Sequence, residues 1–145
     1  MHRRSVSEMG TLTLAILLTI ATSSCATMPA GPVVALPNGY YLRPDQSKQT
    51  VLVKRGGTRI LPGNVAAYAV SGVLVAGAEG KTTAASREYT NDLPFSGGPD
   101  TRYFILHTQS GQLESDLNKA AWQARLKELG VPSDFEIFPP LPWTQ

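Results

Sequence analysis

The sequence predicts an α+β domain, a small antiparallel sheet of about five or six strands, largely hairpin-connected, with one C-terminal helix packed on a face. Three observations lead there. Short apolar and β-branched runs between residues 40 and 76 are separated by two-residue turns, and the run at 102–108 is the most strand-like in the chain. A capped helical pattern follows it and stops at Gly-Val-Pro.

The elements follow in order. Tyr40 to Arg43 (YYLR) is a short strand, and Thr50 to Arg55 (TVLVKR) is a stronger one because it is β-branched and bounded by polar residues. Gly56-Gly57 separates it from Thr58 to Leu61, and two glycines supply the positive φ angles of a tight hairpin before Pro62-Gly63 ends that arm. Val65 to Val70 and Val73 to Ala76 flank Ser71-Gly72 as a second hairpin. Glu79 to Thr101, rich in Gly, Thr, Ser, Asn, Asp and Pro, reads as a long surface loop, a class that is often functional and often merely disordered. Arg102 to Thr108 (RYFILHT) is a strand with Tyr103, Ile105 and His107 on one face and Phe104, Leu106 and Thr108 on the other. Gln109-Ser110-Gly111 turns the chain, and the helix comes next. Asn118 is placed as N-cap, with Leu117 stapled to Trp122. Trp122, Leu126 and Leu129 face the sheet, while Lys119, Gln123 and Lys127 face water. Gly130 closes the helix, Val131 folds back toward Leu126, and Pro132 forbids continuation. The tail from Phe135 to Trp143 (FEIFPPLPW) begins as an edge-strand candidate and ends extended and proline-rich.

The first residues give an address. His2, Arg3 and Arg4 form a positive leader, and Thr11 to Ala21 an apolar run of about eleven residues, too short for the roughly twenty that span a bilayer. The run gives way to Thr22-Ser23-Ser24-Cys25-Ala26, which holds the single cysteine of the chain. This segment resembles a bacterial lipoprotein signal, although Thr22 stands where such signals usually carry leucine. The resemblance implies cleavage before Cys25, fatty acylation of its thiol and of the new α-amino group, and, with Ala26 rather than aspartate next, sorting to the outer membrane rather than the inner. Two or more acyl chains hold a protein firmly on a bilayer. The alternative is an ordinary secretory signal cut nearby, which leaves Cys25 a free thiol. The expected organisation is therefore signal peptide 1–24, acylated Cys25 and a Pro/Ala/Gly-rich tether over 25–37, and one domain over 38–145.

Charge and chemistry exclude more than they select. The formal charge is +2, falling to about +1 without the leader, and the Lys and Arg residues are scattered, so nucleic acid is not expected as a partner. No cofactor is expected. Gly80-Lys81-Thr82 ends like a phosphate-binding loop, but the glycine required five residues earlier is Val75. Zinc needs three or four ligands, and with Cys25 acylated and His107 the one histidine after the leader, no metal site is expected. Ser96 and Ser110 are serine nucleophile candidates outside any G-x-S-x-G elbow, and Glu88, Asp92 and Asp100 are loop carboxylates without a pairing signature. No catalytic residue is assigned. Pro139, Pro140, Leu141, Pro142 and Trp143 form a candidate partner-docking segment, since a pre-extended backbone ending in a large aromatic binds at low entropic cost. The competing expectation is that Trp143 folds back over the core.

Beyond the leader, Asn64 to Gly77, Arg102 to Gly111 and Asn118 to Gly130 together resemble small bacterial lipoproteins of unassigned function, in which a strand of the form YFI-(I/L)-D-T-x-x-G leads through a turn into a helix ending Leu-Gly. His107 stands here where that pattern has aspartate. The expected function is that of a membrane-anchored, non-enzymatic binding or accessory protein of the cell envelope, its partner a protein or an envelope polymer. An immunity-type inhibitor of an envelope-active toxin lies within that class. The competing class is a small periplasmic hydrolase using the 79–101 loop and His107.

Overall fold

Asn38 and Gly39 both adopt the left-handed conformation, with φ of 58° and 81°, and in doing so they reverse the chain after its first strand. The computed structural model describes residues 33–80, 93–140 and 143 of the 145. Strand β1 (Val34–Ala35) runs into the short 3-10 turn Pro37–Gly39 and back along β2 (Tyr40–Pro44). Val34 pairs with Leu42 and Ala35 with Tyr41. Pairing thus begins at Val34, inside the stretch expected to be tether. The local signal for this reversal is Asn38-Gly39, a dipeptide that favours tight turns, set between apolar runs.

Asp45 makes the next turn, its Oδ1 accepting from the backbone amides of Ser47 and Gln49 at 2.8 and 2.9 Å. It leads into β3 (Thr50–Lys54), which pairs antiparallel with β2 and completes a three-stranded sheet in the order β1-β2-β3. The expected glycine hairpin follows, reduced to one bridge between Val53 and Arg59, with Ile60 donating to the Leu52 carbonyl at 2.9 Å. Arg59 then holds the crossover in shape. Its guanidinium donates to the carbonyls of Leu61, Pro62 and Gly63 and to Asn64 Oδ1.

A separate four-stranded sheet, in the order β4-β5-β6-β7, contains β4 (Val65–Ser71), β5 (Leu74–Glu79), β6 (Arg102–His107) and β7 (Gln112–Leu117). The expected single sheet of five or six strands is thus two sheets, of three and four strands. The reason is visible in β5 and β6, where Leu74 to Ala78 and Tyr103 to Leu106 are buried without interruption. Such strands need cover on both faces. Leu42, Leu52, Leu61, Val65, Val75, Phe104 and Leu106 form the core between the sheets. Ala76, Ala78, Tyr103, Ile105, Trp122, Leu126 and Ile137 form the core between the second sheet and α1 (Lys119–Glu128). The alternation expected along β6 is the one found. The molecule is a three-layer stack, sheet on sheet on helix.

Two boundaries differ from expectation. The β4–β5 connection is Gly72-Val73 rather than Ser71-Gly72, because Ser71 pairs with Leu74 and Gly72 takes the positive φ of 57° at the first turn position. Strand β7 was not foreseen. Its sequence, QLESDL, has only two apolar residues, and its place as an edge strand comes from pairing with β6. Asp116, with φ of 59°, sits at an irregularity in that ladder, and its carboxylate meets Arg102 Nε at 3.3 Å.

The helix termini match the sequence reading. Asn118 Oδ1 accepts from the Ala121 amide at 2.8 Å. At the other end Gly130 (φ 77°) donates to Lys127 and Val131 donates to Leu126, the two bonds of a Schellman closure. Lys119, Gln123 and Lys127 are exposed, as expected. The edge strand expected in the tail is a single bridge, Phe138 exchanging bonds with Tyr68 on the outer side of β4.

Candidate functional site

Lys54 ends β3 opposite Tyr40, so its side chain leaves the same face of the sheet as Tyr40 and Leu52, at the open end of the inter-sheet core. Below it the β6–β7 turn, Thr108 to Gly111, closes with Gly111 donating to the His107 carbonyl at 2.7 Å. These two corners and the Asn38-Gly39 reversal border an open, shallow cleft of about 330 Å³, lined by Asn38, Gly39, Tyr40, Lys54, Arg55 and Thr108 to Gly111.

The floor of the cleft is fixed by hydrogen bonds. Buried Thr108 donates to the Val73 carbonyl at 2.6 Å and accepts from Asn38 Nδ2 at 2.9 Å, tying the corner of one sheet to the turn of the other. The Gly111 backbone lies close against Tyr40, and a β-carbon there would stand 3.3 Å from the tyrosine hydroxyl at a φ that already disfavours one. The rim is polar. Lys54, Arg55, Gln109 and Ser110 are exposed, and among the described residues neither cation forms an ion pair.

His107 points to the other side of β6. Its Nε2 lies 2.8 Å from Glu114 Oε2, and since an ionised carboxylate only accepts, that nitrogen carries the hydrogen. Arg125 donates to the other Glu114 oxygen at 2.7 Å and to Glu128 at 2.9 Å. The chain binds β6, β7 and α1 together. Burial pushes the Glu114 carboxyl up, but hydrogen bonds and charge from His107 and Arg125 outweigh it and hold the group below its ordinary value of 4.5. The stability this contributes is fully present above the unfolded-state value and is lost as the pH falls through the lower folded-state one. Glu114→Gln is therefore expected to lower stability at neutral pH and to flatten the acid limb of the stability profile, read by denaturant unfolding across that range. An unchanged acid limb would show that the network contributes nothing.

The hydrolase candidates are not brought together. Glu79, the first residue of the expected loop, instead ends β5 opposite Arg102 in the strand register, at the other end of β6 from His107, and its carboxyl is pushed up by burial and by the charge of Asp116. Ser96 is exposed beside Gly97, which packs against Thr101 and the Tyr103 hydroxyl. Four steps along the strand, about 13 Å, separate Tyr103 from His107. Ser110 sits in the β6–β7 turn, its Oγ accepting from the Gln112 amide at 3.3 Å, and Asp100 is exposed. Glu88, Asp92, Lys81 and Thr82 lie outside the described residues, as does Cys25. Among the described residues no group of three His, Cys, Asp or Glu side chains is placed to hold a metal ion.

Of the tail segment, Pro139 and Pro140 are half-buried, while Leu141 and Pro142 lie outside the described residues. Trp143 turns inward. Its indole donates to Thr50 Oγ1 at 3.0 Å and its ring packs on the inter-sheet core. Thr50 pairs with Pro44 and Lys54 with Tyr40, so the tryptophan covers the opposite end of the first sheet from the cleft. Trp143→Ala is expected to cost about 1–3 kcal/mol, from lost packing and an unpartnered Thr50 hydroxyl. Urea unfolding would detect this, and an unchanged midpoint would return Trp143 to the role of a free docking group.

The cleft was not legible as a site in the sequence. Its residues come from three separated turns, and only Asn38-Gly39 and Gly111 carried a local signal. Comparison of the chain with known protein families, with curated proteins and with solved structures finds no match.

Proposed function

We propose that this protein is a non-enzymatic binding protein of the bacterial cell envelope, anchored through acylated Cys25 and engaging its partner at the cleft between the Asn38-Gly39 corner and the β6–β7 turn. The observation that carries this reading is the cleft itself, a polar recess with a hydrogen-bonded floor and two exposed cations at its rim. Pre-formed concave sites with a few placed polar groups are the usual form of binding sites. The leader and Cys25 supply the address. The competing hydrolase is disfavoured by the placement of His107, which is engaged by Glu114 and faces away from the cleft.

Anchorage and binding are tested together in the native host by labelled fatty-acid incorporation, membrane fractionation and in-cell crosslinking. Wild-type protein is expected to take up label, partition with membranes and capture a discrete partner. Cys25→Ser is expected to lose the label and leave the membrane fraction. Unlabelled wild type, or Cys25→Ser that remains membrane-bound, overturns the anchor. A folded, anchored protein that crosslinks to nothing overturns the binding reading.

A further inference from the structure

We propose that the cleft recognises the phosphate ester of a small hydroxylated group, such as a polyol or sugar phosphate. This rests on the reading of the cleft as the binding site and adds the chemistry of what enters it. Three features of the lining carry the inference. Lys54 and Arg55, consecutive in the chain, both line it, and no carboxylate is among the lining residues. Neither cation has an ion-pair partner among the described residues, so among these residues no carboxylate competes with an arriving anion. A guanidinium fork and a compact ammonium on one recess suit a phosphate oxygen cluster, the first by paired hydrogen bonds and the second as a point charge.

The remaining donors and acceptors favour hydroxyl groups around that phosphate. Gln109 is exposed and makes no hydrogen bond with the described residues, and Ser110 presents its hydroxyl on the same turn. Asn38, also on the lining, uses its amide nitrogen on Thr108, so its carbonyl oxygen is the group left to accept. A volume of about 330 Å³ exceeds what inorganic phosphate fills and leaves room for the esterified group. The aromatic lining residue, Tyr40, is only 8% exposed and serves as wall rather than stacking platform. That argues against a neutral sugar held by ring stacking and for recognition by charge and hydrogen bonds.

A headgroup of the anchoring bilayer and a soluble ester would present the same chemistry. The test uses the full chain purified in a non-ionic detergent, with glycerol 3-phosphate, inorganic phosphate and glycerol as probes, followed by amide and side-chain NMR shifts. Saturable shifts at Lys54, Arg55 and Gln109 are expected with glycerol 3-phosphate, weaker ones with phosphate and none with glycerol. Lys54→Gln and Arg55→Gln, both exposed positions, are each expected to weaken binding by about tenfold or more while leaving the fold intact. A second arm compares nanodiscs of phosphatidylglycerol with nanodiscs of phosphatidylcholine. Shifts of the same residues on the anionic discs alone identify the headgroup as a source, and shifts with the soluble ester alone identify a soluble or polymer-borne one.

Binding of glycerol 3-phosphate that survives both substitutions, or shifts confined to residues outside the cleft, overturns the proposal. So does saturable binding of glycerol with no gain from phosphate, an outcome that leaves the cleft a binding site of different chemistry. No shift with any probe or disc overturns the phosphate assignment while the crosslinking experiment still decides the broader reading.

Discussion

Replacing Trp122 by alanine is expected to destabilise the domain by about 3–5 kcal/mol, the largest effect of any single truncation here. Trp122 is 5% exposed in the core between the second sheet and α1, and its ring centroid lies 4.8 Å from that of Tyr103. Its indole N–H reaches across to the Phe104 carbonyl at 3.1 Å, a buried bond. Truncation would therefore remove the main apolar contact of the helix, leave a cavity beside Tyr103 and Ile105, and strip a backbone carbonyl of a donor. A small domain is stable by about 5–15 kcal/mol, so a loss of this size is a large fraction of the whole. Trp122→Phe separates the terms, since it keeps much of the ring volume and loses the hydrogen bond, with an expected cost of about 1–3 kcal/mol. Equilibrium urea unfolding of the three proteins measures both. A cost below about 1 kcal/mol for the alanine variant would mean that the helix does not hold the sheet as described.

The second large effect is expected from the smallest change, Gly77→Ala. Gly77 lies mid-strand on β5 between Tyr68 of β4 and Phe104 of β6. A β-carbon on it would press on the Ala67 carbonyl oxygen and stand 2.8 Å from two carbons of the Phe104 ring. The ring can shift at the expense of core packing, but the carbonyl belongs to a neighbouring strand and can move only with its ladder. Overpacking typically costs about 1–3 kcal/mol, and a backbone obstacle places this case at or above the upper end. Phe104→Leu in the same background should recover part of the loss but not all, giving a favourable coupling energy in a double-mutant cycle. If Gly77→Ala is neutral, the close packing of Phe104 over β5 is wrong.

Gly77 also shows where sequence reading stops. Nothing in Val73 to Gly77 marks the glycine as a site of close approach, because the obstructing atoms come from Ala67 and Phe104. By contrast, the helix was legible to the residue. Its N-cap, its closing glycine and the return of Val131 are local hydrogen-bond devices encoded within about four residues of each end. The strand at 102–108 and the facing of its side chains were equally readable, since both follow from strand periodicity. Strand β7 was not, as its two leucines and three polar or charged residues between them carry no strand signal apart from the partner they pair with.

The sequence by itself determined the class α+β, the positions of most strands, and the helix with both its caps. Those features depend on interactions between residues close along the chain. Only the tertiary structure decided that the strands divide into two sheets, that Trp143 closes one end of the core between them, and that Lys54 and Arg55 meet Asn38 and the Thr108–Gly111 turn at the other. These depend on which faces find each other across long separations, fixed at the two ends by the hydrogen bonds of Asn38 with Thr108 and of Trp143 with Thr50. A pattern of burial along one strand says that a face must be covered, but the covering residues are chosen by the packing of the whole chain.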